Sequence, residues 1–114
     1  MPRSSPASES RTGAGIPVPE ARFDELIHAP HRLRICAMLS QADGIEFSEI
    51  QTRTELSKSA LSKHLSQLAD AGYVTETAFV RHGRSRQLLS LTPAGLDAYR
   101  AHRASLQALL DDNG

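Results

Sequence analysis

The stretch LSKSALSKHLSQLADAGYV, residues 56–74, constrains the fold most, because it carries the start, the buried face and the end of one helix. Ser57 stands where an N-cap is expected, since a serine hydroxyl can accept a bond from an unpaired first-turn N–H. Gly72 stands where the helix should stop, because glycine adopts left-handed geometry at little cost. Three leucines recur at i, i+4 and i+7 and predict one buried face: Leu61, Leu65 and Leu68.

The face opposite these leucines is small, polar and cationic, with no acidic residue before Asp70. Rotation by about 100° per residue assigns six side chains to it or to its flanks. They are Ser59, Ser62, Lys63, His64, Ser66 and Gln67. Such a helix suits the major groove of DNA, which admits a helix and offers base-edge donors and acceptors.

The residues that follow predict a β-hairpin with a basic tip. Residues 73–80, YVTETAFV, are rich in β-branched and aromatic side chains, and residues 87–92, QLLSLT, form a second strand. Between them, RHGRSR carries three arginines, one histidine and a glycine that can accept positive φ. We therefore expect a cationic loop of several residues at residues 81–86.

This order of a helix-turn-helix, a hairpin with GRSR and an LTPAG that opens another helix resembles bacterial winged-helix transcriptional regulators near the MarR and ArsR types. The resemblance covers roughly residues 23–110. It implies a winged helix-turn-helix fold, mainly α with a small antiparallel β-hairpin, of about five helices plus a wing. It also implies double-stranded DNA as the partner. The absence of catalytic and cofactor-binding motifs separately predicts no enzymatic activity and no cofactor. One position departs: relatives often place glycine just before Leu56, where this chain has Glu55.

Local signals place the other elements. Pro30 should end or bend a first helix, because proline cannot donate to the preceding turn. Ser48 should cap a positioning helix, and Thr92-Pro93 should begin a last helix that runs to about Leu110. The remaining elements are expected as helices at 20–28, 31–41 and 48–53 and as a short strand at 45–47.

The chain of 114 residues fits one domain. Residues 1–19, rich in Ser, Pro, Gly and Ala, are expected to be a disordered tail, and residues 111–114 a short C-terminal tail. The DNA-binding domain is expected at 20–110. Although the net charge is zero, five bases and two acids leave residues 57–86 at +3, as a local phosphate-binding surface requires.

The last helix carries more apolar surface than a compact wing-and-helix core needs, which indicates a homodimer built with the first helix. A two-fold dimer would place two reading helices about one DNA turn apart on a palindromic site. The expected dimer residues are Phe23, Leu26, Ile27, Tyr99, Leu106, Leu109 and Leu110.

We expect a repressor that reads the major groove with a helix at residues 57–71 and touches the backbone or minor groove with the wing, residues 81–86. Ser59 and Lys63 are the foremost base-edge candidates, and Lys58 should meet phosphate at the helix start. The complete set of expected DNA contacts is Lys58, Ser59, Ser62, Lys63, His64, Gln67, Arg81, Arg84 and Arg86. The alternative is a winged helix that binds another protein, although the reading face lacks the aromatic and apolar residues of interface cores.

Other chemistry finds little support in the sequence. No nucleophile, phosphate-loop or HExxH pattern is present, and the five histidines lack a thiolate cluster for a soft metal. Cys36 falls on an apolar face with Ile35 and Leu39, where we expect a packing role and no redox sensing. A small-molecule effector would have to bind at the dimer interface. One cysteine, no apolar run of about 18 residues and no signal peptide core predict a cytoplasmic protein with no membrane partner.

Overall fold

The computed structural model describes residues 20–111, so the predicted tail at 1–19 and residues 112–114 lie outside the described residues. The described part contains five helices and three strands, and the strands form one antiparallel sheet in the order β1-β3-β2. This mainly helical architecture with a small wing confirms the predicted fold class. The elements are α1 Glu25–His28, α2 Pro30–Leu39, β1 Ile45–Glu46, α3 Phe47–Thr54, α4 Lys58–Asp70, β2 Val74–Arg81, β3 Arg84–Leu91 and α5 Pro93–Asp111.

The core lies where α2, α3 and α4 pack against the base of the sheet. The leucines at 61, 65 and 68 of α4 are buried, as the helical spacing predicts. They meet apolar side chains of the other elements, which belong to Ile27, Ile35, Leu39, Ile50, Val74 and Leu89. Burying this surface anchors α4, so its opposite face is held toward solvent.

Both ends of α4 have the predicted caps. The Ser57 hydroxyl accepts a bond from the Ala60 N–H at 3.1 Å. At the other end Ala71 is the C-cap, and Gly72 follows it with a φ of 80°. The N–H of Tyr73 donates to Leu68 O at 2.9 Å, and that of Gly72 donates to Ala69 O at 2.9 Å. These two bonds form a Schellman motif, which requires the left-handed glycine.

The first two helices differ from their predicted bounds. The helix expected from residue 20 begins only at Glu25, because Asp24 is its N-cap and accepts from the Ile27 N–H at 3.0 Å. Pro30 lies at the break between the two helices, as predicted: α1 ends at His28, and Pro30 is the first residue of α2, where its missing N–H costs nothing. In contrast, Ser48 is not a cap, since α3 begins one residue earlier at Phe47.

The hairpin is tighter than expected. Its strands pair as far as Arg81 and Arg84, and only His82 and Gly83 connect them. Both connecting residues have positive φ, 53° and 74°, as a two-residue type I′ connection requires. The prediction of a several-residue basic loop was wrong, because the three arginines lie on paired strands.

Glu55 takes the left-handed conformation that relatives give to glycine. Its φ of 61° and ψ of 22° form the C-cap of α3. The buried Thr54 hydroxyl donates to Ile50 O at 2.8 Å and lies 3.4 Å from the Leu56 N–H. The turn between the two helices therefore keeps its geometry without glycine, at a steric cost to Glu55.

The start of α5 is fixed against the end of α4. The Gly95 N–H donates to the Thr92 hydroxyl oxygen at 2.9 Å, and that hydroxyl donates to Gly72 O at 2.6 Å. A Cβ at Gly95 would lie 2.1 Å from Tyr73 O, so only glycine permits this approach. Thr92 therefore caps α5 as predicted and also joins it to α4.

Candidate nucleic-acid interface

The exposed face of α4 forms a shallow open surface. The structure brings together on it Ser57, Lys58, Ser59, Ser62, Lys63 and Ser66. Hydroxyls and two ammonium groups line it, and no carboxylate does. The buried leucines on the other side fix its orientation, so these short side chains project from a rigid element.

His64 and Gln67, also predicted DNA contacts, are turned toward the start of α2. The Arg32 Nη1 atom donates to Gln67 Oε1 at 2.8 Å and lies 3.2 Å from His64 Nδ1. Its Nε atom donates to Leu26 O at 2.6 Å. Arg32 therefore joins the end of α1, α2 and the reading helix, a role that the sequence analysis missed.

Burial and the neighbouring Arg32 both disfavour the protonated form of His64. Because a guanidinium only donates, Nδ1 of His64 accepts, and the neutral ring carries its proton on Nε2. Burial, then Arg32, His31 and Lys63, lower the pKa of His64 below its usual value. The lowered pKa favours the neutral ring of His64, which has an Nε2–H donor.

The three wing arginines share one face of the hairpin. Arg81 is paired with Arg84 and Phe79 with Arg86, and directly opposed antiparallel residues point to the same side. The other side of the hairpin, with Ser85 and Gln87, faces α4 across a groove.

Glu46, at the end of β1, contacts two of these arginines. Its carboxylate lies 2.7 Å from Arg81 Nη2 and 3.4 Å from Arg86 Nη1. Arg84 is exposed and forms no ion pair with any residue between 20 and 111. Glu46 is not among the residues predicted for the site, because only the sheet brings it to the wing.

The candidate dimer face lies on the outer side of α5. Ala21, Phe23, Ser105, Ala108 and Leu109 line an apolar depression there. Phe23 is 50% exposed, and the neighbouring leucines at 109 and 110 are 60% and 69% exposed. The side chains at 26, 99 and 106 are half-buried.

Ile27 is the exception among the residues expected at the dimer interface. Its side chain has no exposed surface and belongs to the core of the single chain. It therefore packs inside the domain and offers no surface to a partner.

Two histidines meet behind this face. His102 Nδ1 accepts from the Asp24 N–H at 2.9 Å, and its Nε2 lies 3.2 Å from His28 Nδ1. Because a neutral ring that accepts at Nδ1 is protonated at Nε2, that atom has no lone pair for a metal. No group of three or more His, Cys, Asp or Glu side chains among residues 20–111 could hold a metal ion.

Cys36 lies in the core. Its thiol has no exposed surface, and burial raises its pKa to about 12. A sensing thiol needs exposure and a lowered pKa, so this environment is that of a packing cysteine. Separately, none of the helices between residues 20 and 111 combines the length and the apolarity needed to cross a membrane.

A capped, exposed polar helix beside a basic hairpin defines a winged-helix DNA-binding domain. The family model described as "Winged helix DNA-binding domain" matches residues 31–110, and the chain belongs to this family. A search of curated proteins found no match.

Several solved structures share the fold, including two described as transcriptional regulators. A transcriptional regulator homologue from Pyrococcus horikoshii OT3 is 26% identical with a TM-score of 0.75, over 79% of this chain and 89% of that one. A MarR-family regulator from Silicibacter pomeroyi is 28% identical with a TM-score of 0.59, over 77% and 58%. The YusO protein from Bacillus subtilis is 24% identical with a TM-score of 0.69, over 78% and 62%. The chain thus spans less than two thirds of the latter two proteins. The resemblance to winged-helix regulators is confirmed.

Proposed function

We propose that this chain represses transcription by binding a specific double-stranded DNA site as a homodimer. The observation that carries the proposal is the reading face of α4, where the N-cap Ser57 and five exposed polar or cationic residues of the helix lie together, with a cap at both ends. A rigid element is needed because base-edge contacts depend on the register of the helix in the groove.

On this face Ser59 and Lys63 are proposed to contact base edges, with Ser62 beside them. Lys58 is the first residue of α4, where the helix dipole also favours an anion, and is proposed to bind phosphate. His64 and Gln67 lie at the edge of the face, and Arg32 already occupies His64 Nδ1 and Gln67 Oε1. Their remaining Nε2–H and amide N–H donors can still reach the DNA.

The wing is proposed to follow the DNA backbone or enter the minor groove beside the reading helix. Arg84 carries this contact, because it is exposed at the end of a paired strand and forms no ion pair within residues 20–111. A contact of this kind adds affinity without reading sequence, so it should act on every duplex.

The dimer is proposed to form through the outer side of α5 together with Phe23. The supporting observation is the apolar depression with its rim of exposed leucines, since contiguous exposed apolar surface commonly marks an interface. Two copies related by a two-fold axis would present two reading helices to successive major grooves. Repression follows in this proposal from occupying the site, for which a compact binding domain suffices.

The test is selection of bound duplexes from a random-sequence pool, with nonspecific competitor and near-physiological salt. A palindromic motif with half-sites about 10 base pairs apart supports the reading helix and the dimer together. A single unpaired half-site would remove the dimer from the proposal. No enrichment and no salt-dependent binding to random duplex would replace the proposal with the protein-binding alternative.

A further inference from the structure

The wing carries its own anion. Glu46 is the last residue of β1 and pairs with Leu88 of β3, the strand that also carries Arg86. Its side chain is only 19% exposed. The carboxylate contacts both flanking arginines, with Oε2 at 2.7 Å from Arg81 and Oε1 at 3.4 Å from Arg86. One carboxylate is therefore shared by two of the three wing guanidinium groups.

A carboxylate and a phosphate compete for the same guanidinium. A carboxylate is planar and a phosphate is tetrahedral, but each presents two oxygen atoms that can accept the paired N–H bonds of arginine. An arginine must therefore leave Glu46, or share its donors, before it binds a phosphate. The negative charge of Glu46 also lowers the net positive charge around the wing by one.

Glu46 holds the two arginines differently. Arg81 makes the shorter contact, 2.7 Å against 3.4 Å, whereas Arg86 is the less exposed side chain, 33% against 54%. The Nε atom of Arg86 is buried and has no hydrogen-bond partner within the described chain, and Glu46 is the only carboxylate of residues 20–111 within ion-pair distance of this guanidinium. Arg81 also lies over the Phe79 ring, with its guanidinium carbon 5.7 Å from the ring centre.

We propose that Glu46 is a specificity-determining residue, because it withholds Arg81 and Arg86 from DNA phosphates. Arg84 then remains as the wing's phosphate contact. Phosphate contacts strengthen binding to every sequence alike, so withholding two of them lowers nonspecific affinity and leaves base reading by α4 intact. The inference rests on the proposed function and narrows the predicted wing contacts from three arginines to one.

The experiment measures the affinity of the full chain for a random-sequence duplex at several salt concentrations. Glu46→Gln keeps the shape of the side chain and removes its charge, so that neither arginine is ion-paired with it. We expect about tenfold tighter binding and a salt slope steeper by about one to two phosphate contacts. The matched control is Glu49→Gln, which removes the same charge from the neighbouring helix, where Glu49 pairs at 3.5 Å with Arg53. It should change the affinity less than threefold.

A second pair of variants applies if Glu46→Gln does not fold. Arg81→Ala should weaken binding to random duplex less than threefold, whereas Arg84→Ala should weaken it about tenfold. Equal losses in the two variants would overturn the inference. So would a folded Glu46→Gln protein whose affinity and salt slope match those of the original chain. If the original chain shows no salt-dependent duplex binding at all, the proposed function itself fails.

Discussion

The backbone N–H of Asp24 donates to Nδ1 of His102 at 2.9 Å, and this bond joins the cap of α1 to the middle of α5. His102 has no exposed surface. Burial and then His28 lower its pKa, which Asp24 partly opposes. A proton on Nδ1 would meet the Asp24 N–H donor, so the neutral ring is the form that the fold accepts.

We therefore predict that acidification destabilises the domain through His102. The pKa of His102 in the folded state is below the unfolded value of about 6.5, so its contribution to the free energy of unfolding is complete above pH 6.5. As the pH falls below 6.5, only the unfolded state binds the proton, and stability drops by up to about 1.4 kcal/mol per pH unit until the folded pKa is reached. The His102→Gln variant keeps an acceptor and a donor but does not titrate. Urea unfolding at pH 7.5 and 5.5 should show a smaller loss in the variant, and equal losses would contradict the assignment.

Gly95→Ala should destabilise the domain by about 2 kcal/mol or more. Its Cβ would lie 2.1 Å from Tyr73 O, and backbone cannot move aside as a flexible side chain can. In an unobstructed helix the same change is stabilising by about 1 kcal/mol, so the sign of the effect is diagnostic. Chemical denaturation measures it, with Ala94→Gly as the control, expected to cost only about 1 kcal/mol. A neutral or stabilising Gly95→Ala would show that α5 does not approach Tyr73 this closely.

Glu55→Gly should stabilise the domain, because Glu55 adopts φ 61° at the turn between α3 and α4. Left-handed geometry costs a non-glycine residue about 1–2 kcal/mol, part of which the flexibility of glycine in the unfolded chain offsets. We expect a net gain of about 0.5–1 kcal/mol in thermal or chemical unfolding. Glu49→Gly, inside α3, should instead cost about 1 kcal/mol. Losses in both variants would mean that Glu55 is not left-handed in solution.

The dimer proposal predicts that a charge at the end of α5 separates the subunits. Leu110→Asp places a carboxylate on the apolar rim, where it would be desolvated in the interface. Light scattering should show the dimer mass for the original chain and a shift toward monomer for the variant. Val80→Asp is the control, since Val80 is equally exposed at 71% but lies on the wing. A monomeric original chain, or a dimer that survives Leu110→Asp unchanged, would contradict the proposed interface.

The sequence predicts the reading helix well because its signals are local. Sixteen residues contain all of these signals, which are the Ser57 cap, the leucine spacing and the glycine at Gly72 that ends the helix. The start of α1 was mispredicted, because the Asp24 side chain accepts from the Ile27 N–H and so begins the helix at Glu25 and not at residue 20. The strands of the hairpin were predicted too short and its loop too long. A histidine with positive φ, as at His82, is uncommon and cannot be expected from composition.

The contacts around the site could not be predicted because the fold, not the sequence order, creates them. Arg32 reaches Gln67 across 35 residues, and Glu46 reaches Arg86 across 40. No helical or strand periodicity links residues so far apart. These two contacts decide how exposed two of the predicted reading residues and two of the wing arginines are.

The most direct test of the central claim is the dissociation constant of Lys63→Ala for a selected palindromic duplex and for a random duplex of the same length. Arg103→Ala on the exposed surface of α5 is the control that removes an equal charge away from the reading face. The account predicts that Lys63→Ala weakens specific binding at least tenfold, roughly what one good base contact provides, and random binding much less. Equal losses on the two duplexes, or a loss no larger than that of Arg103→Ala, would contradict the claim that α4 reads the DNA sequence.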